Sequence, residues 1–378
     1  MLARKSFSRL GKVGMLGDMS RVGISGYGSE RQNTPRRWVC LWLWGLCSLV
    51  FAMVILGGAT RLTGSGLSMV EWRLFELLPP LTSQEWQDMF LLYTSSPEYL
   101  YRNLGMTLDD FKGIFWLEYI HRLFGRAIGL FLFIPLVIFY FKGGLERHLS
   151  RRMITLFLLG GAQGLLGWFM VASGLIDQPN VSHYRLAAHL LLAAFLFAAL
   201  LWTALEYTFG CVRFHITHTC SKLVMGLLVL TGLTMTWGAF VAGLDAGLIY
   251  NTFPLMDGQL IPQGLGLYTP LWVNAFENIT AVQFLHRLLG SGTTLATCIV
   301  IGFLFAHFAH NTPLKRYAAY LALIVVAQTS LGIATLLFSV PLPLGLAHQG
   351  GALILIGLLV ALLFQIIRSQ SGTVEIRS

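Results

Sequence analysis

The chain has 378 residues, of which 55% are hydrophobic and 11% charged, against about 25% charged in soluble domains. With a mean hydropathy of +0.68, this composition excludes an ordinary soluble protein and predicts a bundle embedded in a bilayer. The net charge of +9 does not point to nucleic acid, because the basic residues gather at the N-terminus and in short loops between apolar runs, a pattern that orients a chain in a membrane.

Residues 1–37 carry eight basic residues and two acidic ones, Asp18 and Glu30, among frequent serine and glycine. They read as a basic tail without an apolar core of its own. A mitochondrial transit peptide and a bacterial cytoplasmic tail both fit; the glycines, which weaken a helix, favour the bacterial inner membrane over the mitochondrial one. Eight apolar runs follow, at about 38–58, 114–141, 152–174, 184–207, 222–244, 280–308, 314–339 and 344–367. Each is long enough to cross the hydrocarbon core, and backbone in lipid must satisfy its own hydrogen bonds, so all are predicted helices. The expected fold is an all-α polytopic membrane protein with eight transmembrane helices arranged as two tandem four-helix bundles.

Residues 59–113 hold seven acids and four bases, and 245–279 three acids and no base, whereas the alternate loops are basic. Both termini are therefore expected on the cytoplasmic or matrix side. The two acidic loops are too long for tight turns and are expected to have structure of their own. The five cysteines, Cys40, Cys47, Cys211, Cys220 and Cys298, form no metal-binding spacing and read as small packing residues.

The chain repeats itself. Glu118-Tyr119-Ile120-His121-Arg122-Leu123-Phe124-Gly125 matches Gln283-Phe284-Leu285-His286-Arg287-Leu288-Leu289-Gly290, and Ala162-Gln163-Gly164-Leu165-Leu166-Gly167 matches Ala327-Gln328-Thr329-Ser330-Leu331-Gly332 at the same offset. Leu186-Ala187-Ala188-His189 then matches Gly345-Leu346-Ala347-His348. An even number of spans per repeat gives two parallel halves. The expected organisation is a tail at 1–37, an N-terminal half at 38–207, a linker at 208–221, a C-terminal half at 222–367 and a tail at 368–378.

Six histidines, His148, His183, His215, His218, His307 and His310, fall in loops or at span ends and read as solvated or interfacial. His121, His189, His286 and His348 lie inside spans two, four, six and eight, each on the order of 10 Å below the acidic side. Ionisable groups inside a membrane are costly and mark function. Two imidazoles facing each other can hold one haem iron; zinc would want further N or S ligands that the cysteines do not supply. Glycines near these positions, such as Gly125, Gly129, Gly164, Gly167, Gly290, Gly292, Gly332, Gly350 and Gly351, would leave room for a flat macrocycle or for close helix packing. Glu118 stands one turn before His121, where the second half has Gln283, so the first half is expected to be the reactive one. Arg61, Arg122, Arg126, Arg185 and Arg287 are candidate partners for haem propionates or snorkelling side chains.

From residue 38 to 367 the chain resembles the haem A synthase family. The resemblance rests on Gly57-Gly58-Ala59-Thr60-Arg61-Leu62-Thr63, Gly66-Leu67-Ser68, Glu118 through Arg122, Gln163 through Trp168, Tyr184 through His189, and Gly238 through Gly247 continuing into Asn251 through Gly258. It implies oxidation of the C8 methyl of haem O to a formyl group, giving haem A for cytochrome c oxidase. His286 and His348 would ligate a resident haem b, His121 and His189 would flank the haem O substrate and its iron, and Glu118 would be the essential catalytic carboxylate near the methyl group. Haem O synthase, an unidentified electron donor or acceptor and the lipid bilayer are the implied partners, and a homo-oligomer is compatible with the sequence. The cysteine pair of some bacterial members is missing from residues 59–113, so the resemblance is to the proteobacterial and mitochondrial subgroup. A b-type cytochrome relaying electrons to or from quinol, and a transporter built from parallel repeats, are the competing readings.

Overall fold

The computed structural model describes residues 30–72, 78–142, 145–176, 178–210, 219–308 and 312–371. Most of the predicted tail at 1–37, residues 211–218 of the linker and 372–378 of the C-terminal tail lie outside the described residues, as do Cys211, His215, His218 and His310. The described part contains eleven α-helices: α1 Glu30–Leu62, α2 Ser83–Thr94, α3 Pro97–Tyr101, α4 Leu108–Phe141, α5 Arg147–Ala172, α6 His183–Phe209, α7 Thr219–Gly243, α8 Asn274–Glu277, α9 Ile279–His307, α10 Thr312–Leu337 and α11 Leu342–Ser371. Eight of them, α1, α4, α5, α6, α7, α9, α10 and α11, are long and apolar enough to cross a membrane. The protein is an all-α polytopic membrane protein.

The spans meet in two closed rings. Helix α1 packs on α4, α4 on α5, α5 on α6 and α6 back on α1; α7, α9, α10 and α11 close in the same way. The rings share a seam in which α6 touches α7 and α11, and α1 touches α11. Small residues let the seam helices approach: a Cβ on Gly350 would lie 2.9 Å from Ile55 Cδ1 of α1, and one on Gly357 3.3 Å from Phe197 of α6.

Packing differs along the membrane normal. The largest cluster of buried side chains joins Leu43 and Leu46 of α1, Met153 of α5, Leu200 of α6, Leu304 of α9, Leu321 of α10 and Leu359 of α11. These positions fall toward the end of the bundle where the basic loops lie. In α10 the stripe Leu314, Ala318, Leu321, Val325 is buried at helical spacing, and no described residue of α10 beyond Val325 is. The opposite end, which carries the acidic loops and is called outer below, holds the four histidines and two smaller buried clusters, one around Tyr93 and Phe111 and one around Phe240 and Val282.

The outer loops are structured, as expected. Residues between α1 and α4 form α2 and α3, and those between α7 and α9 form two short 3-10 turns and α8. Thr82 with Glu85 and Thr107 with Asp110 form capping boxes that start α2 and α4. Helix α4 therefore begins at Leu108, about two turns before the predicted residue 114. Its extra turns carry Phe111, which joins Phe115 and Tyr93 of α2 in one buried cluster. His189, His286 and His348 sit about two turns into their helices, and His121, because α4 starts early, between three and four turns into α4.

Candidate functional site

Every one of the four histidines rests on a glycine of the preceding span. A Cβ on Gly57 of α1 would stand 3.3 Å from Nε2 of His121, one on Gly167 of α5 3.0 Å from Cε1 of His189, one on Gly238 of α7 3.0 Å from Cε1 of His286, and one on Gly332 of α10 2.7 Å from Cε1 of His348. A hydrogen in place of a side chain lets each imidazole lie against the neighbouring backbone. His286 uses that seat: its Nδ1 donates to the carbonyl of Thr234, four residues before Gly238, at 3.1 Å. The carbonyl can only accept, so Nδ1 carries the proton and Nε2 is left as a lone-pair donor. Nδ1 of His189 and of His348 are buried without a partner.

The AQxxLG repeat has a matching task. Gln163 donates from Nε2 to the backbone oxygen of His189 and Gln328 to that of His348, both at 2.9 Å. Within one turn of α5 or α10, the glutamine fixes the histidine's backbone and the glycine seats its ring. Of the glycines expected to make room for a macrocycle, Gly167 and Gly332 instead seat histidines, and Gly125, Gly350 and Gly351 face neighbouring side chains. Gly129, Gly164, Gly290 and Gly292 face open space.

The rings of His286 and His348 are 6.5 Å apart, centre to centre, with planes at 82°. Two imidazoles sharing one metal ion, with bonds of about 2.0–2.1 Å and about 1.2 Å from nitrogen to ring centre, stand roughly 6.4–6.6 Å apart. The spacing, the free Nε2 of His286 and the orphaned Nδ1 of His348 fit a single iron held from both sides. In the first ring His121 rests on Gly57 of α1 and His189 on Gly167 of α5. Among the described residues no cluster of three or more His, Cys, Asp or Glu side chains suits a bare metal ion.

Glu118 is 2% exposed and accepts four hydrogen bonds. Ser68 Oγ (2.7 Å) and Met69 N (2.8 Å) donate to Oε2, and Arg122 donates to Oε1 from Nε (3.1 Å) and Nη2 (2.5 Å). Arg122 also reaches the carbonyls of Met69 and Glu71 and lies 4.4 Å from the centre of the Trp72 ring. The second half repeats this clamp with opposite polarity. Gln283 donates from Nε2 to the carbonyls of Ala246 (2.7 Å) and Ile249 (2.5 Å), while Arg287 donates to Gln283 Oε1 and to the carbonyls of Tyr250 and Thr252. An acid stands where the outer loop presents donors and an amide where it presents carbonyls. The Glu118/Gln283 difference thus has a loop-holding component beside any chemical one.

Arg122 and Arg287, which directly follow His121 and His286, are therefore both engaged with outer loops. A cavity of about 190 Å³ opens beside Arg122, between Met69, Val70 and Trp72 of the first outer loop and Trp168 and Leu175 at the end of α5.

Comparison with known proteins decides what this geometry belongs to. The sequence profile of COX15-CtaA, described as cytochrome oxidase assembly protein, matches residues 40–360. The chain belongs to the COX15-CtaA family. It is 47% identical over 334 residues to a heme A synthase from Parvibaculum lavamentivorans, covering 88% of this chain and 95% of that one. It is likewise 47% identical over 332 residues to a heme A synthase from Nitrosospira multiformis (86% and 93% covered), and 45% identical over 345 residues to one from Rhodospirillum centenum (88% and 89%).

In this COX15-CtaA member the halves also meet through their outer loops. Arg61, at the end of α1, donates to Ala242 O (2.6 Å) and to Asp245 Oδ1 (3.1 Å), and Arg102 stands 3.7 Å from the same carboxylate. His183 departs from the expected solvated role: it is 8% exposed, packed on Tyr184 and Phe240 at ring separations of 4.1 and 5.3 Å. It is buried because α7 of the other half covers it. His148, bonded to Arg152, and His307, stacked on Phe303, lie at helix ends as expected. Of the cysteines, Cys47 and Cys220 are buried packing residues, whereas Cys298 is exposed.

Two predictions arise from these contacts. Gly332→Ala would force a methyl into the His348 ring; overpacking of this kind costs about 1–3 kcal/mol. The expected result is a lower unfolding temperature and a diminished bis-histidine haem spectrum, read by absorption of the purified protein. In the outer loop, burial pushes the Glu98 carboxyl up from its ordinary 4.5 to about 7, and the nearby Glu118 charge adds to this, while the Tyr93 hydroxyl, Arg102 and Arg61 oppose it. The folded loop then holds a proton that the unfolded loop has lost, so its stability falls as pH rises from 4.5 to about 7. Hydrogen exchange of α2 and α3, corrected for intrinsic rates, should show protection declining across that window, and Glu98→Gln should remove the decline.

Proposed function

We propose that the protein is a haem A synthase, an oxidoreductase that converts the C8 methyl of haem O into a formyl group and so supplies haem A for cytochrome c oxidase. The observation that carries the reading is the fourfold histidine-on-glycine seat, with the His286–His348 pair at single-iron spacing. Relatives named heme A synthase at 42–47% identity support it.

In this reading residues 38–207 form the substrate half and 222–367 the cofactor half. His286 and His348 hold a haem b, which supplies one-electron oxidation and reduction when bound. His121 and His189 flank the haem O substrate and orient its ring, seated by Gly57 and Gly167. Turning a methyl into a formyl group adds one oxygen atom and removes four electrons (with water as the source, CH3 + H2O gives CHO + 4 H+ + 4 e−), so an electron acceptor is needed; the sister half would offer a one-electron relay from which a separate carrier takes the electrons in turn. The Glu118 carboxylate, held by Arg122, Ser68 and Met69, supplies fixed negative charge beside the substrate site and offsets positive charge developing on the methyl carbon. The clamp it forms with the loop also keeps the outer mouth of the site ordered. Both termini face the cytoplasm, with the outer loops across the bacterial inner membrane; haem O synthase and a separate electron carrier are the expected partners.

The test is expression of the protein with a source of haem O, followed by extraction and separation of the pigments. Haem A in the extract supports the proposal. Two bound haems with unchanged haem O would instead make the protein an electron-relaying b-type cytochrome, and an extract without haem would return the repeat to a transporter.

A further inference from the structure

The two sites are joined by one side chain. Gln349 follows His348 in α11 and crosses the seam to the other half, where its Nε2 donates to the carbonyl of Val54 on α1 at 2.8 Å. Its amide fills the space beside Gly58 that a Cβ would occupy; such a Cβ would meet Gln349 Cδ at 2.9 Å. Gly58 adjoins Gly57, the residue on which His121 rests. A continuous path therefore runs from His348 through Gln349 to one turn of α1, and from that turn to His121.

This link is not part of the repeat. The residue after His189 is Leu190, an apolar side chain packed against the core. A long amide inside a bilayer-spanning bundle is costly unless it is hydrogen-bonded, and here its bond is spent on the other half. The neighbouring contacts keep it there: Gly350 lies against Ile55 and Phe51, and Gly345 against Leu62, so α11 and α1 are too close to slide independently.

We infer that Gln349 is a positioning residue that couples occupancy of the His121–His189 site to the redox state of the His286–His348 site. A ring bound at His121 bears on Gly57 and its neighbour Gly58, and Gln349 carries that shift to His348. By linkage the coupling is reciprocal: if filling the first site changes the reduction of the second, reduction of the second changes affinity at the first by the same factor. The inference rests on the proposed haem sites.

The experiment uses the full-length, haem-loaded protein and zinc protoporphyrin IX as a redox-inert probe of the first site, followed by its fluorescence. In the wild type the probe is expected to bind the reduced and oxidised forms with affinities differing about 5-fold or more. Gln349→Leu is expected to bring the ratio to about one while the second-half haem spectrum and content stay as in the wild type. Gly58→Ala, which puts a methyl where the amide lies, should do the same, and combining the two should add nothing. A ratio unchanged by both substitutions overturns the inference alone, as does a wild-type ratio of one. A wild type that takes up no haem, or a probe whose binding survives the double substitution His121→Ala/His189→Ala, overturns the assignment of the sites and the inference with it.

Discussion

His286→Ala is expected to empty the second-half site and stop product formation while leaving the fold in place. His286 is the best-defined of the four histidines: Nδ1 is tied to Thr234, Gly238 supports the ring, and His348 faces it at 6.5 Å. Loss of the hydrogen-bond partners that orient metal ligands typically costs about 10–100-fold in affinity, so loss of the ligand itself should lower haem content and turnover by more than about 100-fold. The low-spin absorption of the purified variant reads this directly. Retention of a full bis-histidine spectrum would show that another group holds the iron and would undo the division between halves.

Glu118→Gln should abolish product formation with the second-half haem retained. An amide offers one acceptor oxygen to four donors, and its NH2 group would face the Ser68 hydroxyl, the Met69 N–H or Arg122. Each buried donor left unpaired costs about 1–3 kcal/mol. Glu118→Ala is harsher, because breaking a buried ion pair by removing one partner costs about 3–5 kcal/mol. Ser68→Ala removes one donor and keeps the carboxylate, so it serves as the comparison: its turnover should stay within several-fold of the wild type. Haem analysis beside turnover separates the two roles of Glu118. If Glu118→Gln lost haem from both halves together, the residue would be a clamp and nothing more.

The spans were legible from hydropathy because bilayer length and backbone satisfaction leave few alternatives, and their predicted limits fall within about five residues of those observed, apart from the starts of α1, which begins at Glu30 inside the predicted tail, and of α4. The α4 start was hidden by Asp109, Asp110 and Lys112, which end the apolar run, although the Thr107–Asp110 capping box was a readable signal. The four histidines were legible because the repeat puts them in matched places. Their seats were not: Gly57 and Gly238 are far from His121 and His286 in sequence, and only the packing of α1 on α4 and α7 on α9 joins them. Burial of His183 depends in the same way on the opposite half. Gln349 was invisible for a further reason, since it has no counterpart after His189 and a repeat can only point to what recurs.

The apolar inner end of the bundle has an electrical consequence. Below the histidines, side chains such as Leu43, Met153, Leu321 and Leu359 close both rings with apolar atoms, and charge crosses such a layer only at high cost. Most of a transmembrane voltage would therefore drop across this insulating floor, beneath the sites. Protons and water taken up or given off during turnover would exchange with the outer compartment alone, and the reaction would proceed at nearly the same rate in energised and de-energised vesicles.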